Sequence, residues 1–242
     1  MDQEYRDRYA TLYRRHWWWR AREWYLTRQL DRVVGAGGAG DILDFGCGDG
    51  LFFPVLERYG RPFGVETDTG LLSPENKWRD RITSQWTDGD PAEAGRYGLI
   101  VALDVLEHIE NPHPVAAEFR RRLRPDGLCL ITVPAFQSMW TRHDDVNQHV
   151  HRHTQREMES MLRGSGFEIV DARYFFVWVG VAKWFLARLQ SLVPGRAKPP
   201  SLPWAPVNAI VRGISLLEMR VLGRLRPAFG SSLLVLARAR VE

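Results

Sequence analysis

The chain has 242 residues, 45% of them hydrophobic and 26% charged, which fits one large domain with a filled core and excludes disordered and collagen-like classes. Its net charge of +4 is carried almost wholly by arginine, since lysine stands only at 77, 183 and 198; no Lys/Arg block is dense enough to make a nucleic-acid arm. The two cysteines, Cys47 and Cys129, lie in or beside apolar strand-like runs, which points to reduced thiols in a reducing compartment and away from a disulfide framework.

In chain order, the first twenty residues are charged and aromatic with no apolar h-region, so no signal peptide is read and a cytoplasmic location is expected. Residues 3 to 34 read as helical and end in "GAGGAG", a loop signal. "DILDFG" is a short buried strand, "LFFPVLERYG" a helix closed by Gly60, and "PFGVE" at 62 to 66 a second strand. "LLSPENKWRDR" at 71 to 81 is expected to be helical, "ITSQW" a weaker third strand, and "GLIVALDV" at 98 to 105 a strong fourth. "HPVAAEFRRRLRPDG" at 113 to 127 is expected as a helix running into a turn, and "LCLITVP" at 128 to 134 as a fifth strand. After the helix "TQREMESMLRGSGF", "EIVDARYFF" and "SSLLVLARAR" are two further strands.

Strands alternating with helices imply a parallel sheet with right-handed crossovers. The expected fold is α/β, a doubly wound, seven-stranded, mostly parallel Rossmann-like sheet with N-terminal helices and a helical insert before the last strand. Four regions are expected: an N-terminal helical cap over 1–40, a Rossmann-like cofactor domain over 41–175, an insert over 176–230 and the final strand over 231–242. The long apolar stretch at 174 to 193 carries Lys183 and Arg188, which argues against a membrane-spanning helix.

The loop between the first strand and its helix, "GCGDG" at 46 to 50, sits where a doubly wound sheet binds its ligand, outside the carboxyl ends of the strands. The dinucleotide fingerprint requires a third glycine at position 51, which is Leu. What stands there is Asp44 followed by Gly46, Gly48 and Gly50, and this resembles the first motif of class I S-adenosylmethionine-dependent methyltransferases. The chemistry agrees: bare glycines let the backbone approach the methionine part and the sugar, while a carboxylate at the strand end receives the ammonium. Glu66, at the end of the second strand, is placed to hold the two ribose hydroxyls. The resemblance implies S-adenosylmethionine as cofactor, with Asp44, Gly46, Cys47, Gly48, Gly50, Glu66, Asp88 and Leu103 around it. Asp88, in "WTDGD", stands where this family contacts the adenine; Trp86 is the alternative, as an aromatic wall, and an ordinary turn acid is another.

"LDVLEHIENP" at 103 to 112 resembles the fourth motif of the branch that includes the ubiquinone-biosynthesis O-methyltransferases. Asp104 is expected at the strand's carboxyl end near the transferable methyl, followed by Glu107 and His108. "RHDDVNQHVHRHT" at 142 to 154 follows the fifth strand, where a loop faces the same pocket. Asp104, His108 and His149 are the catalytic candidates, with His149 or His108 as general base for a hydroxyl nucleophile. Asp104, Glu107, His108 and one of His149, His151 or His153 also make a carboxylate and imidazole set able to bind a divalent metal, as in the similar small-RNA end methyltransferases; structural roles for these histidines are the alternative.

"RRHWWWRAREWYL" at 14 to 26 resembles a stretch that precedes the cofactor domain in bacterial relatives; an amphipathic helix packed on the sheet explains it equally well. The insert is expected to form an apolar lid from Phe175, Phe176, Trp178, Trp184, Phe185 and Trp204 over a lipophilic, aromatic or lipid-linked small-molecule acceptor. It is also expected to meet a membrane surface peripherally, or a second copy of the chain. No nucleic acid is expected as acceptor. A nicotinamide-dependent oxidoreductase and a non-catalytic binding module on the same scaffold are the competing readings.

Overall fold

The computed structural model describes residues 3–35, 38–73, 75–192, 195, 200–223 and 225–240. Two helices, α1 (Gln3–Arg15) and α2 (Trp17–Val33), open the chain. The expected single helix is broken at His16, whose Nδ1 caps α2 by accepting the Trp18 N–H at 3.2 Å. Next come β1 (Gly40–Phe45), the single turn α3 (Phe53–Leu56), β2 (Gly60–Val65), the two-residue β3 (Ile82–Thr83) and β4 (Tyr97–Leu103). Then follow α4 (His113–Arg122), β5 (Leu123–Pro134), α5 (Arg142–Val146), α6 (Gln155–Gly164), β6 (Phe167–Phe175), α7 (Val177–Leu192), α8 (Ala205–Leu222) and β7 (Ser232–Ala239).

The seven strands form one sheet in the order β3-β2-β1-β4-β5-β7-β6. Strands β1 to β5 pair in parallel, whereas β7 is antiparallel to both β5 and β6. The chain reverses direction across the sheet between β1 and β4, and the crevice at their carboxyl ends is where such a sheet takes its ligand.

Period-two alternation in the central strands assigns one set of side chains to each face. Leu43, Ile100, Ile131 and Val133 join Phe119, Met158 and Leu162 from α4 and α6 in one core layer. Ile42, Leu99, Val101 and Leu130 join Tyr25, Leu26, Phe53, Phe176 and Met219 in the other. Both faces of the central sheet are therefore dry, and the chemistry is confined to the strand ends.

Three expectations are corrected here. The described residues of 71 to 81 form no α-helix: 3-10 turns over Thr69–Leu71 and Arg79–Arg81 flank an irregular stretch. Its polar side chains hold the backbone instead, with Ser73 N–H on Asp49 Oδ1, Asn76 Nδ2 on Asp49, and Trp78 N–H on Asn76 Oδ1, the competition by which Asx and Ser residues break helices. The helix expected over 51 to 60 is reduced to α3. Third, Phe175 and Phe176 are buried in the core at 3% and 0% exposure, not part of a lid. Trp178 and Trp184 are half-buried, while Phe185 and Trp204 are exposed. Within the insert expected over 176–230, positions 193, 194, 196–199 and 224 lie outside the described residues. Both cysteines are free, and among the described residues no helix is long and apolar enough to cross a membrane.

Candidate active site

Gly46, Gly48 and Gly50 all adopt positive φ, +74°, +53° and +68°, the left-handed region that favours glycine. Their reasons differ. A Cβ on Gly46 would lie 2.5 Å from Val105 Cγ2, so the turn must stay bare for β1 and the loop after β4 to close on each other; beside Gly48 nothing stands within 4 Å. The backbone is therefore open to a ligand at Gly48. The Cys47 thiol fills the space over Gly64, where a Cβ would lie 2.3 Å from Sγ.

Glu66 lies just past β2, and its carboxylate accepts the Gly48 N–H at 2.9 Å and the Asp68 N–H at 2.8 Å. Burial pushes its carboxyl upward, against the pull of those N–H groups. Asp44, the fifth residue of β1, is 3% exposed. Burial raises its carboxyl to about 7, with Arg22 opposing and Glu66 adding to the rise. Leu103 ends β4, half-buried. Asp88 is exposed in the loop before β4. Trp86 is engaged in packing: its ring meets Phe45 edge-on at 4.6 Å, and the Arg122 guanidinium sits 3.9 Å from its centroid.

Asp104 follows β4 with φ +60°, a strained conformation for a residue with a Cβ. Its carboxylate is held by two groups absent from the sequence-based expectation. Arg22 Nη2, reaching in from α2, lies 2.8 Å from Oδ2; the Thr132 hydroxyl donates to Oδ1 at 3.0 Å and accepts from the same Arg22 nitrogen at 2.8 Å. Arg22 passes the Trp18 ring at 5.3 Å, and its Nε is buried without a partner. The tryptophan and arginine stretch is thus both the packed helix and the source of a cation at the site.

Beyond Asp104, a 3-10 turn over Leu106–His108 carries Glu107 and His108. Oxygen or nitrogen atoms of Glu107, His108 and His149 lie within 4.8 Å of one another. Glu107 is fully buried and neither carboxylate oxygen has a hydrogen-bond partner. Burial, reinforced by the negative charge of Asp104, holds its carboxyl well above the usual range. The His149 Nδ1 lies 2.8 Å from Asp144 Oδ1, and His108 Nδ1 lies 3.3 Å from the Gln148 carbonyl. Burial, with repulsion from His149, lowers His108.

Asp144 is the hub of the loop after β5. Closing the N-terminus of α5 in a capping box with Thr141, it also grips Arg152 with both oxygens at 2.8 and 3.1 Å, both side chains being 0% exposed. Burial alone would raise its carboxyl, but His149 and Arg152 override this and hold it far below the usual range. Lys183 of α7 faces this network and is brought down to about 8 by burial and by Arg152, so the insert contributes to the site. Three residues of the expected set fall elsewhere: Asp104 is outside the cluster of Glu107, His108 and His149, and His151 and His153 group with Glu157.

A family model described as a methyltransferase domain matches residues 18–172. The chain is 25% identical over 175 residues to a protein of Mycolicibacterium smegmatis named "Probable S-adenosylmethionine-dependent methyltransferase", covering 69% of this chain and 66% of that one. It is 27% identical to a ubiquinone biosynthesis O-methyltransferase of Azorhizobium caulinodans, covering 54% and 59%. It is also 40% identical, over only 83 residues, to a ribosomal protein L11 methyltransferase of Xylella fastidiosa, covering 31% and 27%. The chain thus spans between about a quarter and about two thirds of the length of these curated relatives. Among solved structures, the YcgJ protein of Bacillus subtilis superposes with a TM-score of 0.58 at 12% identity, covering 88% of this chain and 97% of that one. An S-adenosylmethionine-dependent methyltransferase of Archaeoglobus fulgidus gives 0.55 at 15%, covering 89% and 94%; at those identities the likeness is one of fold. The family match over more than half of the chain coincides with the sheet order, the glycine turn and the acid after β2: the chain belongs to the methyltransferase-domain family, among the class I S-adenosylmethionine-dependent methyltransferases.

Proposed function

We propose that the protein methylates a hydroxyl oxygen of a lipophilic small molecule, aromatic or lipid-linked, using S-adenosylmethionine. The observation that carries this reading is the Asp144–His149 pair beside Glu107 and His108, on the segment that follows β4, whose Val105 packs against Gly46 of the glycine turn. Bound S-adenosylmethionine supplies an electrophilic methyl group on a sulfonium. On this reading Glu66 holds the ribose, Gly46, Cys47, Gly48 and Gly50 line the methionine part, and Asp44 receives the ammonium. Leu103 and Asp88 border the remainder of the nucleoside. The insert over 176–230 forms the acceptor side, with Lys183 linking it to the catalytic network.

Asp144, held ionised, can only accept hydrogen bonds, so the proton of His149 resides on Nδ1 and Nε2 offers a lone pair. His149 then takes the acceptor's hydroxyl proton at Nε2, and Asp144 stabilises the imidazolium that results. In-line transfer demands little beyond alignment of oxygen, methyl carbon and sulfur.

A second reading is favoured by one observation, the orphaned Glu107 carboxylate. A buried carboxylate without hydrogen bonds needs a proton or a cation. Glu107, His108 and His149 fit a divalent ion by chemistry: one carboxylate and two imidazoles, each histidine tied through Nδ1 to an outer oxygen of the kind that orients metal ligands. Asp104 is excluded from that set because Arg22 and Thr132 occupy it. Such an ion would supply positive charge to acidify an acceptor hydroxyl.

The experiment is transfer of labelled methyl from S-adenosylmethionine into a lipid extract, with and without chelator, beside calorimetric titration with S-adenosylhomocysteine. Transfer that survives chelation supports His149 as base; transfer abolished by chelator and restored by a divalent cation supports the ion. No binding of S-adenosylhomocysteine overturns the reading altogether.

A further inference from the structure

The insert carries an unusual surface. Of the fourteen large hydrophobic side chains that are exposed among the described residues, twelve lie between Val181 and Leu225. In α8, Val207, Ile210, Ile214, Leu217 and Val221 recur at alternating spacings of three and four, which places them in one stripe along the helix. In α7, Val181, Phe185 and Leu189 recur at every fourth position, a second stripe. Leu192 and Trp204, at the ends of these helices, are 80% and 76% exposed.

These stripes are not faces awaiting the rest of the fold, because the inner faces of both helices are already engaged. Ser215 and Met219 of α8 are buried. Asn208 bonds the Trp17 N–H and the Arg15 carbonyl of the N-terminal helices. Glu218 accepts the N–H groups of Val177 and Trp178, and Trp178 Nε1 donates to Ser215. The helices are anchored from within, and their outer apolar stripes are exposed, with no partner among the described residues.

Charge selects the partner. Residues 176–230 hold eight lysines and arginines against a single acid, Glu218, a net +7, while the whole chain is +4; the rest of the molecule is thus net negative. Arg188 and Arg220 are exposed beside the two stripes, whereas Lys183 faces the Asp144 network, Arg212 shares the side of α8 that carries Asn208, Ser215 and Met219, and Arg226 pairs with Asp171 at 3.4 Å. A second copy across a two-fold axis would set this positive face against itself, whereas an anionic surface complements it. Apolar stripes with flanking arginines, on helices unable to span a bilayer, have the character of interfacial helices.

We propose that the outer face of α7 and α8 docks on the surface of an anionic lipid bilayer, with its apolar stripes at the acyl boundary and its arginines among the headgroups. The docking stands on this surface alone; its consequence, that the acceptor is drawn from the bilayer, rests on the methyl-transfer reading above.

The test is flotation of the purified full chain with phosphatidylcholine vesicles, with and without about one third phosphatidylglycerol. The expected result is flotation with the anionic vesicles, weaker flotation with phosphatidylcholine alone, and release as salt rises. A Leu189→Asp, Leu217→Asp double variant should bind roughly tenfold less or weaker still, while keeping its circular dichroism and its affinity for S-adenosylhomocysteine. An Arg188→Gln, Arg220→Gln variant should lose mainly the salt-sensitive part. Docking is overturned if the native chain stays off anionic vesicles, if the apolar variant floats as well as native protein, or if light scattering shows a dimer that the apolar variant splits while vesicles bind neither. Because S-adenosylhomocysteine binding is measured on the same samples, a chain that binds it but not vesicles loses the docking and keeps the methyl-transfer reading.

Discussion

Arg22 and Asp104 meet at 2.8 Å across a boundary between an N-terminal helix and the central sheet, with Thr132 completing the triangle. The guanidinium is 9% exposed and the carboxylate 27%, so the pair is screened on one side only. Replacing Arg22 by Ala leaves Asp104 with a hydroxyl as its one remaining side-chain partner. The expected loss is about 2–3 kcal/mol in chemical denaturation, below the value for a fully buried pair because Asp104 touches solvent. Arg22→Lys should rescue little, since one ammonium lacks the planar fork. A native-like stability for Arg22→Ala would remove the triangle from any structural role.

The glycine turn, Glu66, the two strand-end motifs and the α/β alternation were legible because each is local: a period of two, an acid at a strand end, glycines where φ turns positive. Arg22 was visible only as one arginine among thirteen mostly aromatic and basic residues, since its reach depends on how α2 packs. The network around Asp144 was hidden for a related reason. In "RHDDVNQHVHRHT" the adjacent Asp144 and Asp145 are alike in sequence, yet one is fully buried and the other exposed, and tertiary packing alone decides which. Likewise residues 71 to 81 have helical composition, but Asp49, outside that window, holds the backbone of Ser73 and the side chain of Asn76.

Asp44 yields a pH dependence with a defined sign. Its carboxyl is raised by burial to about 7 in the folded chain, against about 3.9 when unfolded. A group raised in this way contributes stability fully present below the unfolded value and lost as pH climbs through the folded one. The ligand-free protein should therefore lose stability as pH rises from about 4 to about 7, with no further loss from this group above that, and Asp44→Asn should lose less. Binding of a cationic ammonium requires the ionised form. Calorimetric affinity for S-adenosylhomocysteine should rise from about pH 5 to about pH 8, at most roughly tenfold per unit, and the rise should flatten in Asp44→Asn.

Gly46 and Gly48 should separate folding from binding. Alanine at either position adopts a left-handed backbone at a cost of roughly 1–2 kcal/mol. At Gly46 the new methyl also collides with Val105 at 2.5 Å, adding roughly 1–3 kcal/mol of overpacking. At Gly48 it meets open space, the space assigned to the ligand. Gly46→Ala should lower both the melting temperature and ligand affinity. Gly48→Ala should melt close to the native protein yet bind S-adenosylhomocysteine at least roughly tenfold more weakly. Equal affinity of Gly48→Ala and native protein would place the ligand elsewhere.

Asp144 joins stability to chemistry, and two substitutions pull them apart. Asp144→Ala strands the Arg152 guanidinium, which is 0% exposed and left with the Ala135 carbonyl. An uncompensated buried charge costs about 3–5 kcal/mol, enough to lower the melting temperature by roughly 10 °C in a chain of this size. Its carboxyl is depressed in the folded state by His149 and Arg152, so the stability it contributes is present above the unfolded value of about 3.9 and is lost as pH falls below it. His149→Ala leaves the Asp144–Arg152 pair intact and should melt within about 1 kcal/mol of native. If His149 is the base, turnover should nonetheless drop roughly 10²–10⁴-fold with S-adenosylhomocysteine affinity unchanged. Full turnover in His149→Ala, measured with saturating cofactor, would reduce the histidine to a strut for the loop and shift the proton transfer to His108.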